Sequence, residues 1–203
     1  MDIPLQAPNP PVNLLGDHVS QTEIKLIVRC HDPGFKDTTI LDSAGQTIFK
    51  ATGTAFGTSW SLRRKLWDSV NDRHVFDFRH NSFDLKNGWV VESPDGQKIC
   101  SLEHKTQITS EHSNIDATVR TKAGEQVLVA MRQNDYSALI TTVRIGDATI
   151  ASIHKVEDNV QRFKERAHQD RSVWEVRVAP GVDLSLVMVM VLCRVEMCHV
   201  WQQ

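Results

Sequence analysis

Three consecutive cations, Arg63, Arg64 and Lys65, are the residues best suited to binding chemistry. Successive side chains of a β-strand point to opposite faces, so Arg63 and Lys65 share one face, while Arg64 lies on the other with Leu62 and Leu66. Arg63 and Lys65 could therefore bind an anionic ligand together. We expect Arg64 to pair with a carboxylate near the rim of the fold. A solvated face with a few weak ion pairs is the alternative, because lipid-binding segments usually carry about four to eight cations.

Motifs of enzymes and metal sites are missing from the sequence. It has no GxSxG, HExxH or GxGxxG, and residues 53–57 lack the Lys and Ser/Thr of a phosphate-binding loop. The nine histidines are scattered without metal-ligand spacing. A calcium loop starting at Asp68 fails because Arg79 stands where a carboxylate is required. We therefore expect no catalytic residue, no metal, no cofactor and no enzymatic activity.

Composition limits the functional classes further. A net charge of -2 lacks the positive field that sequence-independent nucleic-acid binding needs, so we expect no nucleic-acid partner. Cys30, Cys100, Cys193 and Cys198 form no CxxC pair and are expected to be reduced core residues. A signal peptide would begin with positive charge followed by an apolar run. The N-terminus has the acidic Asp2 and no apolar run, which favours the cytoplasm.

The chain is organised as a short tail and one β-rich domain. Four of the seven prolines fall in the first eleven residues, which predicts a proline-rich mobile tail over residues 1–21 and a folded domain over 22–203. Short β-branched and apolar runs alternate with turns, three of them at Gly45, Gly96 and Gly124. The predicted strands are 24–30, 38–42, 47–52, 60–67, 74–80, 88–93, 97–104, 115–121, 126–132, 138–145, 149–155 and 172–178. Because each lies in one of these strands with apolar neighbours, Trp60, Trp67, Trp89 and Trp174 are predicted to be mainly core residues.

The last segment is apolar on every side. Its uncharged stretch from Leu184 to Cys193 is ten residues, about half of what a membrane span needs. We favour a helix over a strand, with Asp183 as a possible N-cap. Such a helix must be enclosed, so the strands are expected to close around it as a barrel. The predicted core side chains of the helix are Leu184, Val187, Val189, Met190, Val191 and Leu192.

Several motifs together resemble the LURP-one-related family. They are Leu41-Asp42-x-x-Gly45 with Ile48-Phe49-Lys50, Ser61 to Asp68, Gly88-Trp89-Val90-Val91, and Val178-x-Pro180-Gly181-Val182-Asp183 before an apolar run. Related folds include the tubby C-terminal domain and the phospholipid scramblases. The resemblance covers residues 22–200 and implies a mainly β fold, a twelve-stranded closed barrel that encloses a C-terminal hydrophobic helix. Arg194 and Glu196, within the apolar helix, and residues 69–72, in place of a glycine turn, depart from the pattern.

The resemblance implies a cytoplasmic binding or adaptor module that associates with the membrane periphery. By analogy with tubby domains, an anionic phospholipid headgroup would be bound by a set of basic residues. That set is Arg63, Lys65, Lys86, Lys98 and Lys105. One alternative is a protein-interaction module in stress or defence signalling that uses loops and the proline-rich tail, and another is a scramblase-like lipid mover. We expect a monomer without a transmembrane span.

Overall fold

The described part of the chain forms twelve strands followed by one helix. The computed structural model describes residues 3–9, 11–15, 18–32, 34–53, 63–81, 88–104, 114–121, 124–134, 139–159 and 170–200. The strands are β1 (Ile24–Cys30), β2 (Asp37–Leu41), β3 (Thr47–Gly53), β4 (Arg64–Asp68), β5 (Arg73–Asn81), β6 (Gly88–Glu92), β7 (Lys98–His104), β8 (Ile115–Arg120), β9 (Gln126–Gln133), β10 (Ile140–Ile145), β11 (Ala148–Asp158) and β12 (Ser172–Val178), and the helix is α1 (Leu184–Val200).

The strands form a closed antiparallel barrel. Each strand pairs with the next one in the chain, and β1 also pairs with β12, which closes the sheet. At this seam Leu26 lies opposite Val176 and Val28 opposite Trp174, and all four side chains are buried. Closure leaves no sheet edge unpaired. The predicted fold class, a twelve-stranded barrel with a C-terminal helix, is confirmed.

The helix fills the interior of the barrel. Twelve strands spaced about 4.8 Å apart and tilted about 40° give a cylinder about 24 Å across. A helix with its side chains is about 10–12 Å wide, which leaves about 6 Å on each side for one layer of inward strand side chains. Every α1 side chain from Leu184 to Cys198 is buried. The six residues predicted for the helix core therefore lie in the centre of the molecule.

The length and the charges of α1 bear on whether it could cross a membrane. It spans 17 residues, and Arg194 and Glu196 lie near its end. In the described part of the chain, no helix has the length and the apolar character needed to cross a bilayer.

The two ends of the barrel differ in their connections. The hairpin end carries short turns at residues 42–46, 69–72, 93–97 and 146–147. The opposite end, which we call the loop end, is where β1, β3, β5, β7, β9 and β11 end. Gly45, Gly96 and Gly124 adopt φ angles near +80°, as the predicted turns require. Helix α1 starts at the hairpin end and runs toward the loop end.

Part of the N-terminal segment, residues 1–21, for which a mobile tail is predicted, packs on the barrel. Val12 and Leu14 are 3% exposed and belong to the core. The Asp183 carboxylate accepts the backbone N–H groups of Leu14 and Leu15 at 2.9 and 3.0 Å. Its other oxygen accepts the N–H and hydroxyl of Ser185, so one side chain caps α1 and holds this segment. The prolines prevent regular pairing, but they do not prevent apolar neighbours from packing on the barrel.

We expect Val189→Asp to abolish folding. The substitution places an uncompensated charge in the centre of the barrel, and its cost of several kcal/mol is comparable to the whole stability of an ordinary domain. Val156→Asp is the matched control, because Val156 is 51% exposed on β11. Thermal unfolding followed by circular dichroism should show no cooperative transition for the first variant and a parent-like one for the second. Equal melting of the two would place the helix outside the barrel.

Candidate functional site

A continuous patch of charged side chains covers the outside of β4 to β7. Strand register places Lys65 opposite Asp77, Asp77 opposite Glu92, and Glu92 opposite Lys98. Arg63 and Arg79 contact the two carboxylates of this row. We call these six side chains the charged face: Arg63, Lys65, Asp77, Arg79, Glu92 and Lys98.

Ion pairs organise the centre of the charged face. Arg63 bridges both carboxylates, with Nη1 2.6 Å from Asp77 Oδ2 and Nη2 3.1 Å from Glu92 Oε2. Arg79 Nη2 lies 2.8 Å from Glu92 Oε1. The two lysines at the ends are exposed, and neither forms an ion pair with a described residue. Four cations and two carboxylates leave a local net charge of +2 on a chain whose total is -2.

An aromatic pair borders the charged face. The His74 ring lies 5.1 Å from that of Trp67, and its Nε2 is 3.0 Å from Asp77 Oδ1. Trp67 therefore lies on the outside of β4, although its apolar neighbours predicted a core position. Trp89 and Trp174 are buried as predicted, while Trp60 and Trp201 lie outside the described residues.

The structure brings three of the five predicted basic residues to one face. Arg63, Lys65 and Lys98 lie on the charged face, while Lys86 and Lys105 fall outside the described part of the chain. Sequence reasoning missed the acidic residues and Arg79. Period-two alternation against the buried Phe76 and Phe78 would have placed Asp77 and Arg79 outward on β5, but nothing local indicated their pairing with Arg63.

Arg64 points into the barrel, as the alternation predicted. Its Nη1 lies 2.8 Å from Oε2 of Glu196, so its carboxylate partner belongs to the central helix. Its Nε donates to the Phe35 carbonyl at 2.7 Å and its Nη2 to the Gly34 carbonyl at 3.4 Å. The guanidinium also lies 4.6 Å from the centre of the Phe35 ring. Arg64 thus connects α1, β4 and the connection between β1 and β2.

The connection between β1 and β2 is folded so that backbone carbonyl groups face the Arg64 guanidinium. The Asp32 carboxylate accepts the backbone N–H groups of Gly34, Lys36 and Asp37 at 2.7–2.8 Å. Phe35 takes a φ of 53°, which is uncommon for a bulky residue. This arrangement directs two carbonyl oxygens toward the guanidinium.

Burial affects both members of the Arg64–Glu196 pair. Burial lowers the pKa of Arg64, while the Glu196 charge acts to raise it. Burial raises the pKa of Glu196 above its ordinary value, and Arg64 and the Trp89 indole oppose that shift. Each charge therefore compensates part of the desolvation cost of the other.

Arg194, two residues before Glu196 on α1, makes weaker polar and aromatic contacts. Its Nε donates to the Thr141 hydroxyl at 3.1 Å and its Nη1 to Cys198 Sγ at 2.9 Å. The guanidinium lies 5.6 Å from the centre of the Trp174 ring. Arg194 and Glu196, the two charged residues of α1, thus contact polar or aromatic side chains of the barrel wall.

A second carboxylate, Asp68, stabilises the hairpin end. It lies 2.7 Å from His18 Nε2 and accepts the Val70 and Asn71 N–H groups at 2.9 and 3.0 Å. These bonds support the turn that replaces a glycine turn, in which Asp72 takes a φ of 47°. Burial alone would raise the pKa of Asp68, but hydrogen bonds from Asn71, His18 and Val70 outweigh it and place that pKa well below the ordinary range.

A further polar cluster surrounds His31. His31 contacts Asp170 through Nδ1 at 2.7 Å and the Thr39 hydroxyl through Nε2 at 2.8 Å, on the outside of the barrel. Among the described residues, no group of three or more His, Cys, Asp or Glu side chains could hold a metal ion.

Comparison with known proteins identifies the family. The family model described as LURP-one-related matches residues 24–195. The chain belongs to the LURP-one-related family. A crystal structure of a protein from Arabidopsis thaliana has the same fold, with a TM-score of 0.62 and 16% identity over 93% of this chain and 99% of that chain. Identity this low shows the fold alone. No curated protein matches the sequence.

Substitution of Arg64 and of its neighbour Arg63 in this LURP-one-related barrel should change the free energy of unfolding by very different amounts. Arg64→Met leaves Glu196 buried without its partner and should cost about 3–5 kcal/mol of unfolding free energy. Arg63→Met removes a partly exposed group and should cost about 1 kcal/mol or less. Urea unfolding measures both.

The double variant Arg64→Met with Glu196→Leu separates pairing from packing. Replacing both buried charges by apolar groups should recover most of the loss caused by Arg64→Met alone. A double variant less stable than Arg64→Met would show that the ion pair is not the source of the effect.

The low pKa of Asp68 makes its contribution to stability depend on pH. Because the pKa is lower in the folded than in the unfolded chain, the contribution is present above the ordinary carboxyl range near pH 4 and is lost as the pH falls toward the folded pKa. We expect Asp68→Asn to destabilise the LURP-one-related barrel at about pH 7, with a deficit that shrinks below about pH 4. Urea unfolding across this range measures it. Asp72→Asn, in the same turn, is the control, and a deficit independent of pH would contradict the assignment.

Proposed function

We propose that the protein is a non-enzymatic binding module whose charged face docks on anionic phospholipid headgroups at a membrane surface. The observation that carries the proposal is the local net charge of +2, with Lys65 and Lys98 exposed at the two ends of the row. Juxtamembrane basic residues gain about 1 kcal/mol each near an anionic leaflet. A net charge of two then corresponds to about 2 kcal/mol, or about thirtyfold in affinity.

The spacing of the lysines favours a surface over a single headgroup. Lys65 and Lys98 are separated by three strand spacings, about 14 Å. One phosphate group cannot contact both ammonium groups across that distance. The arginines between them already hold carboxylates, so they contribute charge more than open donor sites. The proposed interaction is therefore a diffuse electrostatic attraction to several headgroups.

The packing of the two chain ends bears on the alternatives. A scramblase-like lipid mover would have to bring α1 into the bilayer, and α1 is the core of the barrel. A protein-interaction module that uses the proline-rich segment would have to detach Val12 and Leu14 from that core. Docking by the charged face requires neither change, which supports it over both.

Vesicle co-sedimentation tests the proposal. We expect the protein to pellet with phosphatidylcholine vesicles that contain phosphatidylserine or a phosphoinositide, and to remain in the supernatant with phosphatidylcholine alone. Added salt should weaken the binding because the contacts are exposed. Lys65→Glu with Lys98→Glu should reduce it by at least about tenfold, since the local net charge changes from +2 to -2.

The matched control reverses two charges on another part of the barrel. Lys25→Glu with Arg144→Glu changes the total charge equally, on β1 and β10, and should leave pelleting near that of the parent. Equal pelleting on neutral and anionic vesicles would refute the proposal. An equal loss in both double variants would indicate that total charge, and not the charged face, governs binding.

A further inference from the structure

We propose that Ser93, in the β6–β7 turn beside the charged face, is a phosphorylation site for a proline-directed kinase, and that its phosphorylation releases the protein from anionic membranes. The inference rests on the proposed function for its effect, but not for the modification itself. Ser93-Pro94 is the one Ser-Pro or Thr-Pro step in the chain. Kinases of this class require proline directly after the acceptor hydroxyl.

The turn presents this dipeptide at the surface. Residues 94–97 are exposed, and Ser93 is partly exposed. The Ser93 hydroxyl donates to the Asp95 carboxylate and accepts the Gln97 N–H at 3.2 Å. The Ser93 N–H donates to the Gln97 carbonyl at 2.8 Å. These hydrogen bonds run within the turn, so a local opening frees the hydroxyl without disturbing the apolar core.

The position of Ser93 couples it to the charged face. It directly follows Glu92, and Glu92 lies opposite Lys98 in the strand register. A phosphoserine carries a charge of about -1.5 to -2 at neutral pH. Added to the local net charge of +2 and to the negative charge of Asp95 in the same turn, it removes the positive charge on which docking depends. The phosphate can also pair with Lys98, which takes away one of the two exposed ammonium groups.

The modification is an ordinary phosphoryl transfer from ATP. The Ser93 oxygen forms a bond to the γ-phosphorus, and the bond from that phosphorus to the β,γ-bridging oxygen breaks. ADP leaves with the bridging oxygen, and the hydroxyl proton passes to the catalytic aspartate of the kinase. No redox change occurs.

The first experiment tests the site. The full chain is incubated with a purified proline-directed kinase and MgATP, and the product is mapped by tandem mass spectrometry. We expect one phosphate on Ser93 and no incorporation in Ser93→Ala. Absence of phosphate at Ser93 would overturn the assignment of the site, whether or not the protein binds vesicles.

The second experiment tests the effect. Phosphoserine encoded at position 93 should lower pelleting on phosphatidylserine vesicles by at least about tenfold. Phosphoserine encoded at Ser43 is the matched control, because the β2–β3 turn lies about 19 Å away, four strand spacings, beyond the screening length of about 10 Å. Gln97→Glu adds a negative charge to the same turn without altering Ser93, and it should give a smaller loss in the same direction.

The outcomes separate the two proposals. If the unmodified protein does not bind anionic vesicles, the proposed function fails and the regulatory effect fails with it, while the mass spectrum still decides the site. If the unmodified protein binds and the form phosphorylated at Ser93 binds equally, the regulatory inference alone is wrong. Equal losses from phosphoserine at Ser93 and at Ser43 would also overturn it.

Discussion

The fold depends on one constraint, which is that a helix apolar on every side must be surrounded on every side. From Leu184 to Cys193 the chain offers no face to water, and every one of these side chains is buried. Packing against one sheet would leave half of that surface exposed. A closed barrel of twelve strands provides a complete wall, and the strand number agrees with the space that a helix and one layer of side chains occupy. The short hairpin turns and the β1–β12 seam serve this enclosure.

Enclosure by an apolar wall leaves the rotation of the helix poorly determined, since no face of the helix differs much from another. The Arg64–Glu196 pair supplies the missing difference, because only one rotation places the carboxylate at 2.8 Å from the guanidinium. Buried polar pairs are known to set register in coiled coils at a cost in stability. The cost is reduced here by the Phe35 and Gly34 carbonyls, which accept two further guanidinium hydrogens. We infer that the pair specifies the position of the helix more than it stabilises the fold.

Local patterns in the sequence predict the elements well and their contacts poorly. Alternating apolar residues and the turn glycines located all twelve strands, because both signals act within a few residues. The partner of Arg64 lies 132 residues away, so no local pattern could identify it. Apolar neighbours predict a core position for Trp67, although the alternation that turns Arg64 inward also turns Trp67 outward. The prolines of the N-terminal segment predict a mobile tail, but they report backbone restriction and not the burial of Val12 or Leu14.

The run from Arg63 to Lys65 explains how one stretch of sequence contributes both to the core and to the surface. Strand geometry directs Arg64 into the barrel, where its contacts constrain the fold, and directs Arg63 and Lys65 outward, where charge can change with little effect on the core. The outer face of a barrel built around a plug is therefore free to vary, since the plug and not the surface supplies most of the burial. A binding activity on that face gains a rigid platform, because the spacing of Lys65 and Lys98 is set by strand register and not by loop conformation.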